Sequence, residues 1–218
     1  MVELIRGLDP ARVAANLDRI REQIAAVAGG RDVRVLAATK YVPDDELPAL
    51  AQAGIELVGE NRAQDLERKV AAHGELFEWH FIGQLQSRKV RAIVPHVSLI
   101  HSVASRSALR ELGKHVELAR PGLAILLEVN VAGEEGKAGI APAELGAYIQ
   151  DAPVPVAGLM TMPPLTADPR ESRPWFTALR DLAEKHRLAE LSMGTSQDFA
   201  VAVEEGATIV RIGTSLYD

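Results

Sequence analysis

The sequence predicts an α/β fold: a single (β/α)8 TIM barrel with an additional N-terminal helix. Three observations predict it. Eight short apolar runs are distributed along the chain, segments of helical periodicity separate them, and polar or reactive side chains collect just after the apolar runs. Strands that alternate with helices pair in parallel through crossover helices. The length of 218 residues suits one such barrel, which needs roughly 200 residues or more.

The opening helix covers residues 9–28. Asp9 is a suitable N-cap, and Pro10 takes the first helical position, where its missing N–H costs nothing. Val13, Leu17, Ile20, Ile24 and Val27 form one apolar stripe at helical spacing. Gly29-Gly30 ends it. Strands are then expected at 33–38, 55–58, 79–82, 97–100, 123–129, 154–159, 189–191 and 208–212. Helical patterns fall near 44–53, 61–72, 86–94, 105–118, 142–150, 171–186 and 197–205. Several strands are apolar nearly throughout, as strands covered on both faces should be. The seventh, Ala189-Glu190-Leu191, is the weakest. Pro163-Pro164 through Pro169 reads as a longer loop. Residues 1–218 are therefore expected to form one domain.

Composition narrows the function. Hydrophobic residues make up 47% and charged residues 25%, an ordinary globular balance. The net charge of −6 gives no basic face for nucleic acid. There is no cysteine, which removes disulfides and thiol nucleophiles. Neither a signal-peptide run nor an apolar stretch of membrane-spanning length is present. A cytoplasmic protein without membrane or nucleic-acid partners is expected.

In a (β/α)8 barrel the site is built at the C-terminal ends of the strands. There the chain carries Thr39-Lys40, Glu60-Asn61-Arg62, Gly83-Gln84, His101-Ser102, Asn130, Met160-Thr161-Met162, Ser192 to Ser196, and Arg211 with Gly213-Thr214-Ser215. Taken singly, each of these is more readily a cap or a solvated loop residue than a ligand. Two groups point further. Lys40 directly follows the first strand; desolvation at a barrel mouth would lower its ammonium pKa and free the amine for a Schiff base. On spacing alone a surface lysine is the favoured reading, because most lysines are solvated. The turns around Gly194-Thr195-Ser196 and Gly213-Thr214-Ser215 offer backbone donors where barrels of this class often hold phosphate. Simple capping remains open there.

Other motifs fail. Gly133 to Ala138 lacks the first glycine and the Ser/Thr of a P-loop. The six histidines show no metal spacing, and no G-x-S-x-G elbow occurs.

These residues carry a family signature. The segments LAATK (36–40), GENRAQD (59–65), WHFIGQLQSRK (79–89), HSV (101–103), EVNVAGEEGKAG (128–139), GLMTMPP (158–164) and LSMGTSQDFAVAVEEGATIVRIGTSLY (191–217) occur in order over nearly the whole chain. In them the sequence resembles the YggS/PROSC family of pyridoxal phosphate homeostasis proteins. The resemblance implies a barrel like the N-terminal domain of alanine racemase, the type III fold of enzymes that use pyridoxal 5'-phosphate (PLP). It implies PLP held as an internal aldimine on Lys40. It puts the phosphate near Ser192, Gly194, Ser196, Gly213 and Thr214, and Arg211 near the pyridine ring. A cation there opposes protonation of the ring nitrogen and weakens the electron sink. Asn61, His80 and Met160 are the implied lining residues. No catalytic residue and no metal ligand is assigned.

The sequence departs from the family pattern in three places. The usual M-G-M-S reads Met193-Gly194-Thr195-Ser196, Ala104 follows H-S-V where an acidic residue is common, and the chain ends at Tyr217-Asp218 without a basic residue. The resemblance implies a monomeric carrier that stores PLP and delivers it to apo-enzymes without substantial turnover. Two alternatives stay open at this point: a PLP enzyme such as an amino-acid racemase with Lys40 as base, and a Schiff-base enzyme acting on a sugar phosphate without PLP.

Overall fold

The computed structural model describes residues 4–218. After the helix α1 (Pro10–Val27) the chain follows β1 (Arg34–Ala38), α2 (Leu47–Gln52), β2 (Leu57–Glu60), α3 (Ala63–His73), β3 (Glu78–Phe81) and α4 (Val90–Ile93). It continues through β4 (Leu99–Val103), α5 (Arg106–Lys114), β5 (Ala124–Glu128), α6 (Leu145–Gln150), β6 (Val156–Met160) and α7 (Arg173–His186). It ends with β7 (Glu190–Thr195), α8 (Phe199–Glu204), β8 (Ile209–Ile212) and α9 (Thr214–Tyr217). Neighbouring strands pair in parallel, and β8 closes on β1, with Val35 opposite Val210 and Ala37 opposite Ile212. The eight-stranded barrel expected from the alternating pattern is therefore the fold.

The helix α1 starts as its sequence dictates: the Asp9 carboxylate accepts the Ala11 N–H at 3.0 Å, with Pro10 next. Its buried stripe is Val13, Leu17, Ile20 and Ile24. Asn16 on the same face donates Nδ2–H to the carbonyls of Leu216 (3.1 Å) and Asp218 (2.9 Å), tying the first helix to the last turn of the chain.

Most of the core lies between barrel and helices, around residues such as Trp79, Phe176, Val58 and Ile125. A second, smaller apolar cluster fills the barrel itself: Leu36, Leu57, Leu99, Leu126, Met160 and Ile209. Alternation along the strands puts Ala38, His80, His101, Glu128, Ser192 and Arg211 on the same inward side as these residues.

The largest differences from the sequence reading lie in β4 and β7. The fourth strand runs three residues past its expected end at Ile100, to Val103, so His101 and Ser102 belong to it and are buried. The seventh extends from Glu190 to Thr195 and contains Ser192 and Gly194. Both strands were truncated in the sequence reading because polar residues look like loop. Inside the barrel they are hydrogen-bonded to one another, which is what lets polar groups be buried. Several helical segments are shorter than their periodicity suggests and begin or end as single 3₁₀ turns, as at Asp44–Glu46, Ser87–Lys89 and Pro142–Glu144. No helix among the described residues is long and apolar enough to cross a membrane.

Candidate functional site

At the C-terminal end of the barrel the loops surround a cavity of about 500 Å³, within the usual range for small-molecule sites. Lys40, Asn61, Met160, Ser196, Arg211, Gly213 and Thr214 all line it. They come from the ends of β1, β2, β6, β7 and β8, positions far apart in sequence that only barrel closure brings together.

Lys40 follows Thr39, whose N–H donates to the Gly59 carbonyl at 3.0 Å and extends the β1–β2 pairing. The Lys40 side chain is exposed, and its Nζ stands 4.9 Å from the centre of the Tyr41 ring. Among the described residues no carboxylate pairs with it. The desolvation expected for this lysine is thus not present: the cavity is open at its end of the rim. Beneath it sits a buried ion pair. Lys69 Nζ donates to the Thr39 carbonyl (2.8 Å) and lies 3.4 Å from Glu60, and Thr39 Oγ1 donates to Glu60 at 3.2 Å.

Arg211 is almost fully buried at the floor. Its Nη1 donates to the Ser192 carbonyl (2.9 Å) and Ser192 Oγ (2.5 Å); its Nη2 donates to the Thr161 carbonyl (3.0 Å) and Met162 Sδ (2.8 Å). Of the five N–H bonds of a guanidinium, the one on Nε is left for the cavity. Burial lowers the Arg211 pKa to about 10, against the pull of Asp198 and Glu128. Glu128, a cavity residue the sequence reading missed, is buried, which raises its carboxyl pKa while Arg211 and Lys137 act the other way. Its strand is apolar apart from Glu128 itself, and its inward phase, shared with Leu126, was the available signal.

The two C-terminal turns are joined: the Gly213 N–H donates to Ser196 Oγ at 3.1 Å. A Cβ on Gly213 would meet only Ala38, at 4.0 Å, so no packing contact requires glycine there. Tyr217 donates its hydroxyl to the Ala38 carbonyl at 3.1 Å, closing the wall beside β1. Asn61 Oδ1 is buried in the same cavity without a hydrogen-bond partner.

Three implied site residues are not brought to this cavity. His80 and Ser192 are buried inside the barrel below it, where His80 bonds Glu78 and His101, and Ser192 bonds His101 and Arg211. Their inward strand positions lie deeper than the rim, and the Arg211 side chain lies above Ser192. Gly194 borders an adjoining hollow formed with Pro163, Pro164 and Leu165. At φ +90° its missing Cβ would stand 2.6 Å from the Ala202 Cβ and 2.9 Å from the Phe199 Cα. Close packing on α8 demands this glycine. Gln84 and Ser102, expected at the rim, also line the cavity, and Tyr41 and Tyr217 join it unforeseen. Among the described residues no group of three or more His, Asp or Glu is placed to hold a metal ion.

Comparison with known proteins follows the same lines. The family model for the alanine racemase N-terminal domain matches residues 8–218. The pyridoxal phosphate homeostasis protein of Aquifex aeolicus is 40% identical, over 94% of this chain and 96% of its own. The structure of PipY from Synechococcus elongatus without PLP superposes with a TM-score of 0.83 at 34% identity, covering 94% of this chain and all of PipY. The PLP-bound form of PipY gives a TM-score of 0.80 over the same share of both chains.

Proposed function

Since the chain belongs to the alanine racemase N-terminal domain family, and within it to the pyridoxal phosphate homeostasis proteins, we propose that it holds PLP covalently through Lys40 and serves to store and deliver it. The observation that carries this reading is the convergence of Lys40, Arg211 and the Ser196–Gly213–Thr214 turn on one cavity. The donor set fits the group. A primary amine is present for the aldehyde. Backbone N–H groups at the first turn of α9 have no intrahelical acceptor and suit the phosphate. Asn61 supplies an unpaired oxygen, and the absence of a side chain at Gly213 keeps the space over that turn free.

When bound, PLP supplies an electrophilic carbon for amines and a ring that can accept electrons. The remaining work belongs to the chain. Thr214, Gly213 and Ser196 bind the anion. Arg211, fixed by four hydrogen bonds, keeps a positive charge at the floor and disfavours a second positive charge on a nearby ring nitrogen. That limits carbanion chemistry and suits a carrier. Met160 and Asn61 shape the side walls. Lys40 stands on the open side of the cavity, where an incoming amine can reach it. The 1–218 barrel acts as one unit, as a cytoplasmic monomer that passes its cargo to apo-enzymes.

Borohydride reduction of the loaded protein followed by peptide mapping tests the assignment. We expect the label on Lys40 and loss of the visible absorbance in Lys40→Ala. A label on another lysine would overturn it. Glu128 gives a second reading some footing, because a buried carboxyl facing the same cavity is an acid/base group that an amino-acid racemase could use. Racemisation by the purified protein well above that of free PLP, lost in Glu128→Gln, would favour that enzyme.

A further inference from the structure

The site described above leaves unexplained a buried line of polar side chains that descends through the barrel to its opposite, N-terminal end. Below Arg211, Ser192 Oγ lies 2.8 Å from His101 Nδ1. His101 Nε2 lies 2.9 Å from His80 Nδ1, and His80 Nε2 lies 2.9 Å from Glu78 Oε1. Ser98 Oγ donates to the same Glu78 oxygen at 2.8 Å, and Arg34 meets the other at 2.5 Å. Both imidazoles and Ser192 are fully buried, whereas Arg34 and Glu78 are about two-fifths exposed at the far face.

The two ends fix the direction of every hydrogen between them. A guanidinium only donates and a carboxylate only accepts. Glu78 therefore requires N–H on His80 Nε2. A neutral His80 then accepts at Nδ1, so His101 carries its proton on Nε2 and accepts at Nδ1. Ser192 must donate there, which turns its lone pairs toward Arg211. One assignment satisfies all five groups with both rings neutral. Burial lowers both imidazole pKa values; Arg34 adds to this for both rings and Arg211 for His101, while Glu78 and Glu190 oppose it at His80.

We infer that Glu78 is a positioning residue for the cavity at the other end of the barrel: through His80, His101 and Ser192 it orients Arg211 and leaves the Arg211 Nε–H for the cavity's ligand. The last step rests on the cofactor reading given above; the hydrogen-bond polarity does not. An electronic property of the site is thus set from a face that no cavity ligand touches.

Nitrogen-15 NMR of the PLP-free protein tests the polarity directly. Both His80 and His101 are expected as neutral Nε2–H tautomers across neutral pH. In Glu78→Ala the two rings should populate mixed tautomers and the Arg211 Nε–H resonance should move, whereas Glu75→Ala, at the same end but outside the line, should leave it in place. Ser192→Ala should uncouple Arg211, so that adding Glu78→Ala moves its resonance no further; Ser192→Thr should restore the coupling. In loaded protein, Glu78→Ala should also shift the visible band. An Nδ1–H tautomer on either ring of the wild type, or an Arg211 resonance indifferent to Glu78, would overturn the inference. The wild-type tautomers decide it even if a variant does not fold, and absence of PLP binding would leave the NMR outcome unchanged.

Discussion

Replacing Lys69 by Met isolates the buried charge beneath Lys40. Lys69 and Glu60 are 2% and 0% exposed, with Nζ 3.4 Å from the carboxylate. The substitution keeps the aliphatic volume and removes only the cation, leaving a carboxylate in the interior. Breaking one side of a buried pair costs about 3–5 kcal/mol. At about 2–4 °C per kcal/mol for a chain of this size, the melting temperature should fall by about 6–20 °C at neutral pH. The pH dependence has a definite sign. Burial already raises the Glu60 pKa above 4.5, with Lys69 pulling it down. Without Lys69 the folded-state pKa lies further above the unfolded one. Protonated Glu60 is then favoured by folding, so the deficit is small below pH 4.5 and grows as pH rises through the folded-state value. Thr39 keeps partners in the variant, since its carbonyl also accepts the Val42 N–H at 2.9 Å. Lys69→Met combined with Glu60→Leu should regain much of the loss, because no charge is left stranded. Thermal melts followed by circular dichroism at pH 4.5 and pH 8 measure both effects. A single variant that melts within 2 °C of wild type at pH 8, with no pH slope, would refute the reasoning.

The two glycines of the C-terminal turns should separate cleanly. Gly194→Ala puts a Cβ into α8 at positive φ and should cost about 2–5 kcal/mol by urea unfolding; Gly213→Ala, whose Cβ meets no packed neighbour, should cost less than Gly194→Ala yet retain PLP less well in dialysis. Equal stability losses in both would show that Gly213 also serves packing. Glu128→Gln should be at least as stable as wild type at pH 7, because burial raises the Glu128 pKa and ionisation at neutral pH opposes folding. That advantage should fade as pH falls below the unfolded-state value. Paired melts at pH 7 and pH 4 check it, and a variant less stable at pH 7 would mean that the carboxylate earns its place through Arg211.

The barrel was legible because its signal is periodic. Runs such as Leu123 to Val129 can only be strands covered on both faces, and each is followed by a helical stripe. Lys40, Arg211 and the Ser196–Gly213 turns were legible because rim chemistry follows strand ends. The inner line was not. His101 and Ser192 look like rim residues in a one-dimensional reading, since a polar side chain ends an apolar run wherever it points; His80, inside the expected third strand, was assigned to the lining only by the resemblance. Whether a residue lies at the mouth or one layer below depends on register and shear, which local pattern does not encode. Glu128 was hidden for another reason: it lies inside the expected strand 123–129, where one acidic residue in an apolar run gives no sign of its role until alternation shows that it faces inward. The exposure of Lys40 is what its spacing alone suggested, a surface lysine; the expectation that fails is its desolvation at the barrel mouth.

Rigidity and exposure divide the cavity in a way that bears on what such a site is good for. Arg211 is held by four hydrogen bonds, Ser196 is bonded to Gly213, and Tyr217 is bonded to Ala38. These groups are preorganised, so a ligand meets them without ordering costs. Lys40, by contrast, is a flexible side chain at an open edge. An enzyme gains from the reverse arrangement, with the reacting amine locked and water shut out. A carrier gains from a firm grip on the charged tail and ring together with a covalent link that another amine can approach and displace. On that argument the exposed lysine, which contradicts the desolvation first expected for it, is the feature that most favours delivery over catalysis.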